Sequence, residues 1–242
     1  DDTPAVVSPY SDYNEFVTKE SFLPNPGDPM DGGYFGGQIN DGGIIYNLIV
    51  APKTSGSLTG ENSSVAWKPA NTGGDAGSEV YGKPVTDSKG QSTTYPMFNW
   101  CLLSATGPNA GAPSGGTGIG GFNDWYIPAK NELAVLFFFL KPGNNVIGAG
   151  GTSGGNPNAV LPYTPNTAYG PGFPNQTPNP IFQTGGSEAF TASGSGAPYW
   201  TATESSTTTD AWQQDFYEGY QNPGGAKSNT FRARAIRRVL AT

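Results

Sequence analysis

Glycine (36 residues) and proline (22) together make up about a quarter of this 242-residue chain, roughly twice the ~12% of average usage. Glycine weakens helix and strand interiors, and proline removes a backbone donor from them. Long regular elements are therefore excluded, and short elements joined by turn-rich loops are expected. No strict triplet period runs through the glycines, so collagen is excluded. The 5 Trp, 12 Tyr and 13 Phe are too many for a disordered chain. Much of the excess lies at 105–121 and 143–198, so the loops are expected to surround a compact framework.

Between those loops the patterning predicts a few elements. Gly33–Ile39 and Ile44–Val50 flank Asn40-Asp41-Gly42-Gly43, a strong hairpin signal. The second run is apolar on both faces except at Asn47 and reads as a central strand. Residues 53–93 read as turn-rich, anchored by Trp67. Met97–Leu103 reads as a short buried helix behind Pro96. Pro128 starts a second helix, in which Leu133, Leu136, Phe137 and Leu140 share one face and which Lys141-Pro142-Gly143 ends. The 143–198 stretch carries Tyr163, Tyr169, Phe173, Phe182 and Phe190, rings expected to pin it to the body. Tyr199–Glu204 and Ala211–Phe216 read as strands. Gly219–Asn222 begins the hairpin partner of the second, and Phe231–Val239 closes the chain.

The residue types present exclude much chemistry. There is no histidine and one cysteine, Cys101. Histidine-dependent triads, histidine metal sites, a cysteine-rich zinc site and an internal disulfide are all excluded. Cys101, among Trp100, Leu102 and Leu103, reads as a buried inert thiol. Asp75, Glu79 and Asp87 are spaced too loosely for a calcium loop. The acids Asp210, Asp215 and Glu218 read as surface solubility groups. No metal or cofactor is expected, and the chain is not expected to be an enzyme.

Charge divides the chain unevenly. The net charge is −7, and residues 1–31 hold seven acids against the single base Lys19. Residues 1–30 read as an acidic tether or docking segment, in which Tyr10, Tyr13, Phe16, Phe22 and Leu23 could meet a neighbour, and 31–242 as one domain. The chain opens on Asp1, read as a processed or truncated start. No stretch approaches the ~18 apolar residues of a membrane span, so no membrane insertion is expected. Four arginines (Arg232, Arg234, Arg237, Arg238) crowd the C-terminus, too short a cluster for a nucleic-acid face.

Four segments occur in one order: NDWYIPAKNEL (123–133), YWTATE (199–204), AWQQDF followed by Gly219 (211–219) and RARAIRRV (232–239). Together they resemble the Lcl C-terminal domain family, with Ala202 and Ala233 as departures from its usual pattern. GGYFGGQI (32–39), YNLIVAP (46–52) and GSEAF (186–190) resemble the version found in tail-fibre proteins of aquatic bacteriophages. The resemblance spans roughly residues 30–240. It implies an α+β, C-type-lectin-like fold: a small twisted antiparallel sheet, two helices and long loop insertions. It also implies a non-enzymatic virion surface protein that binds a bacterial receptor, glycan or protein, as a homotrimer or multi-copy assembly with other fibre subunits. The alternatives are a structural virion decoration or fibre component, and an extracellular or cell-surface glycan adhesin. The calcium-binding Glu-Pro-Asn and Gln-Pro-Asp motifs of C-type lectins do not occur.

Alternation in the 211–216 strand places Trp212, Gln214 and Phe216 inward and Gln213, Asp215 and Tyr217 outward. With Tyr220, Gln221 and Asn222 at the turn, these outward residues form the expected contact site, since tyrosine rings stack and amides bond hydroxyls or backbone. Trp125, Trp200, Glu204, Trp212, Arg234 and Arg237 are expected to be structural, with Glu204 paired to Arg234 or Arg237. Arg232, Arg237 or Arg238 holding an acidic glycan is the alternative use of those arginines.

Overall fold

The computed structural model describes residues 23–110, 117–145, 155–170, 172–192 and 198–241. The N-terminal tether up to residue 22, with Tyr10, Tyr13, Phe16 and Phe22, lies outside them. So do 146–154, 171 and 193–197 of the long loop. The chain is mixed α+β. Eleven strands are described: β1 (Pro29–Met30), β2 (Gly33–Asp41), β3 (Ile44–Val50), β4 (Thr54–Ser55), β5 (Leu58–Thr59), β6 (Glu61–Ala66), β7 (Tyr199–Glu204), β8 (Asp210–Gln214), β9 (Gln221–Ala226), β10 (Thr230–Arg234) and β11 (Ile236–Leu240). Three α-helices accompany them: α1 (Lys83–Lys89), α2 (Pro96–Leu103) and α3 (Lys130–Leu140).

The strands make a four-stranded sheet, β1-β2-β3-β11, and a five-stranded sheet, β6-β10-β7-β8-β9, with β4-β5 as a small ribbon. All pairings are antiparallel except β7 with β10, which touch in parallel at Arg232 and Tyr199. The segment expected as one closing strand is two. The chain passes from the second sheet to the first at Ala235, whose carbonyl accepts Ala51 N–H and whose N–H reaches Gly60. β1 lies within the stretch expected as tether, so the folded part begins before residue 31.

The central strands β3 and β7 are buried on two faces, as the period-2 alternation of a strand allows. In β3, Leu48 and Val50 join one core with Ile39, Leu133, Leu136, Phe137 and Tyr199. Ile49 joins the other, with Trp67, Phe98, Trp100, Trp125 and Trp200. Helix α3 and the long loop cover the first side, α2 and α1 the second. Tyr163, Tyr169, Phe182 and Phe190 are buried in the first core, so these rings do pin the loop. Phe173 lies outside that core and remains 37% exposed, but its ring meets Phe138 of α3 edge-on at 5.4 Å. The β2–β3 hairpin forms with Asn40 accepting the Gly43 N–H. β3 is central, although Ile44 and Ile45 at its turn end are exposed.

Helix α1 is a correction to the turn-rich reading of 53–93. It buries only Val85 and Thr86, so it has too narrow an apolar stripe for a periodicity signal. Gly37 is where α3 meets the sheet. The β2–β3 register shifts between Phe35 and Gln38, and Gly37 sits at φ +111 with Phe139 and Val135 against the position a Cβ would take. Gly37→Ala is therefore expected to cost about 1–3 kcal/mol from a strained conformation alone, as measured by urea unfolding.

Candidate functional site

The expected contact residues are mostly occupied in building their own hairpin. β8 lies between β7 and β9 and is not an outward-facing strand. Trp200 is opposite Gln213, and Gln213 is opposite Asn222. Gln213 is buried on the face that carries Trp200 and Ala211, which corrects its outward placement. Both faces of this strand are covered, so alternation along it does not separate inward from outward side chains. Gln214 and Phe216 are buried as expected, Gln214 donating to the Gly219 carbonyl at 2.8 Å.

Trp212 is the converse correction. It is half-buried, with the Lys130 ammonium of α3 4.0 Å from its ring centroid. Asp215 folds back on the turn, where its carboxylate accepts the Tyr217 N–H at 2.7 Å. Burial raises the Asp215 carboxyl above the ordinary range, against the backbone N–H groups and with the help of Glu218. Gln221 donates to the Lys130 carbonyl at 3.0 Å, and Asn222 accepts the Gly224 N–H at 2.7 Å. Tyr217 is half-buried. Tyr220, 38% exposed, is the aromatic ring this hairpin offers.

Of the residues expected to be structural, Trp125, Trp200, Arg234 and Arg237 are buried, and the ion-pair partners differ from the expected ones. Trp125 and Trp200 are fully buried, their indoles donating to Ile119 and Val65 carbonyls. Glu204 does not meet Arg234 or Arg237. It accepts Lys227 at 2.6 Å and the Asp75 N–H at 2.7 Å. Arg234 binds Glu61 at 3.0 Å, Glu188 at 2.5 Å and the Ala51 carbonyl at 2.7 Å. Arg237 forks onto Asp124 at 2.7 and 3.0 Å. Arg238 reaches Glu132, Asp41 and the Val80 carbonyl and lies over Tyr81 and Tyr46. Arg232 pairs with Glu61. Each arginine already has its acid, so the acidic-glycan use of this cluster is set aside. Lys227, buried in a Gly-Gly-Ala-Lys-Ser turn, carried no sequence signal.

A cleft of about 450 Å³ opens between β2, the end of α3 and the long loop, walled by Phe35, Phe138, Phe139, Leu161 and Phe173. Leu23, Pro24 and Pro26 form its entrance, and Pro162, Pro174 and Pro178 continue its wall. Phe138 is held by stacking on Tyr163 at 4.2 Å. Gln38 and Gln176 present amides there, anchored on Asn47 and the Pro142 carbonyl. None of the lining residues is ionisable. Leu161 is 71% and Leu23 54% exposed, so the rim is apolar as well. Phe138 and Phe139 fall outside the Leu133, Leu136, Phe137, Leu140 stripe that the sequence shows, and nothing in it joins residues 23–26 to 161–162 and 173–178. Among the described residues, no group of three or more acidic or cysteine side chains could hold a metal ion, and no helix is long and apolar enough to cross a membrane. Comparison with models of protein families, with curated proteins and with solved structures gives no match.

Proposed function

We propose that this chain is a non-enzymatic binding domain of a phage tail fibre or related virion appendage, built on a C-type-lectin-like fold and contacting a bacterial surface molecule. The four segments that carry the family resemblance support the fold assignment, because they meet in one place. Tyr126 exchanges backbone hydrogen bonds with Ile236, Ala202 N–H reaches the Pro128 carbonyl, and Glu132 binds Arg238. Early strands β2 and β3 share a sheet with the last strand, and the long loop leaves between α3 and β7. The observation that carries the binding reading is the cleft. Three of the seven exposed large hydrophobic side chains of the described residues, Leu23, Leu161 and Phe173, rim it. Apolar patches gathered around a pocket of this size mark interaction sites. Its uncharged lining fits an uncharged part of the receptor. The contact face thus centres on the long loop, with Tyr220 of the hairpin as a separate, smaller contribution. A multi-copy fibre would add avidity to a weak single site.

Co-sedimentation of the purified domain with bacterial cells tests this. Leu161→Asp places a charge on the rim without touching the core and is expected to reduce binding at least about tenfold, in line with the cost of burying an unpaired charge. Tyr220→Ala is expected to weaken it less. Unchanged binding by Leu161→Asp would remove the cleft from the site. A domain that binds no cells but self-associates through the same rim would favour the fibre-packing role instead.

A further inference from the structure

The cations of the described residues are engaged almost without exception. Lys68 and Lys89 pair with Asp75, Lys83 with Asp87, Lys130 with Glu79, and Lys227 with Asp75 and Glu204. Lys141 donates to the Asn145 and Pro174 carbonyls, and the four arginines have acids. Among the described residues, the Lys53 ammonium alone has neither an ion pair nor a hydrogen-bond acceptor. Its backbone is nonetheless fixed: its N–H donates to Glu188 at 2.8 Å and its carbonyl accepts the Gly60 N–H at 3.0 Å.

Lys53 lines a separate cavity of about 300 Å³ with Thr184, Gly185, Ala189, Thr191 and Ala192. The nearby carboxylates are already taken. Glu61 holds Arg234, Arg232 and the Tyr199 hydroxyl, and Glu188 holds Arg234 and the Lys53 N–H. Burial lowers the Lys53 pKa, and Arg234 and Arg232 add to this against the pull of Glu61 and Glu188. A half-buried cation without a counter-ion gains from an incoming anion more than an exposed lysine would.

We propose that this cavity binds the carboxylate of an acidic sugar, Lys53 holding the carboxylate while Thr184 and Thr191 meet ring hydroxyls. One ammonium matches one negative charge. Glycine and alanine leave room beside it, and the volume, at the lower end for ligand pockets, suits a single sugar ring. The Thr184 hydroxyl donates to the Pro142 carbonyl at 3.1 Å, which leaves its oxygen free to accept from a sugar. The site is distinct from the cleft and does not depend on the receptor reading.

Titration of the full chain with glucuronate, glucose and inorganic phosphate, followed by NMR chemical shifts, tests it. Glucuronate is expected to bind, glucose not, and Lys53→Gln to lose about tenfold in glucuronate affinity, the size of one charge-assisted hydrogen bond. Equal binding by Lys53→Gln, binding of glucose as well as glucuronate, or no glucuronate binding would each overturn the proposal. Phosphate binding as tightly as glucuronate with the same Lys53 dependence would overturn the sugar-acid assignment. A parent domain that binds glucuronate but no bacterial cells would count against the receptor reading and leave this site standing.

Discussion

Glu132→Ala is expected to lower the free energy of unfolding by about 3–5 kcal/mol, the range for breaking one side of a buried ion pair. Glu132 is fully buried at the start of α3. One carboxylate oxygen accepts the Ala129 N–H at 2.7 Å and the Gly82 N–H at 3.1 Å. The other accepts the Tyr126 hydroxyl at 2.6 Å and Arg238 at 2.7 Å. Removing it orphans four donors from three separate segments, at Gly82, Tyr126–Ala129 and Arg238. Burial raises the Glu132 carboxyl, while Arg238, Tyr126 and the two backbone donors pull it down. Glutamine is no remedy, because its amide nitrogen would face two donors with no lone pair to offer. Urea unfolding of Glu132→Ala, Glu132→Gln and Arg238→Met, with the Glu132→Ala/Arg238→Met double variant, measures the effect. A Glu132→Gln variant within about 1 kcal/mol of the parent, the net worth of one ordinary hydrogen bond, would contradict the four-donor account.

The same carboxylate marks how far the sequence could be read. Pro128 and the Leu133, Leu136, Phe137, Leu140 stripe located α3 because capping and periodicity are local signals. Asn-Asp-Gly-Gly located the β2–β3 hairpin for the same reason. Arginines near the C-terminus were legible as structural, but their acids were not. Asp124 is over a hundred residues from Arg237, and Glu188 comes from the loop. Pairing at that separation is set by topology, which composition and spacing do not encode. Gln213 failed for a related reason: alternation tells which residues share a face, not whether that face is covered. The cleft needed both kinds of non-local information, since its walls come from residues 23–26, 35–38, 138–139, 161–162 and 173–178.

Lys227→Met is expected to cost a similar 3–5 kcal/mol or so at pH 7, and its pH dependence separates charge from packing. The Lys227 ammonium is fully buried against the Trp67 ring and has four oxygen partners: Asp75 at 2.9 Å, Glu204 at 2.6 Å, and the Thr72 and Thr208 carbonyls at 3.1 and 2.8 Å. These contacts tie the 67–78 segment to β7 and to the turn after β9. Methionine fills the stem's volume but leaves Glu204 with only the Asp75 N–H. Burial alone would raise the Asp75 carboxyl. The Tyr95 hydroxyl and the ammonium groups of Lys227, Lys68 and Lys89 outweigh it and hold that carboxyl well below the ordinary range. A carboxyl depressed on folding stabilises the fold above its unfolded pKa, about 3.9, and this stabilisation is lost as pH falls through the folded value. The parent is therefore expected to lose stability below about pH 4. Lys227→Met has less of this term to lose, because one of the groups that depress Asp75 is gone. The gap between the two proteins should thus be widest near pH 7 and narrow toward pH 3, read by urea unfolding at both. A gap that stays constant over that interval would mean that Lys227 acts through its packing on Trp67 rather than through the two carboxylates.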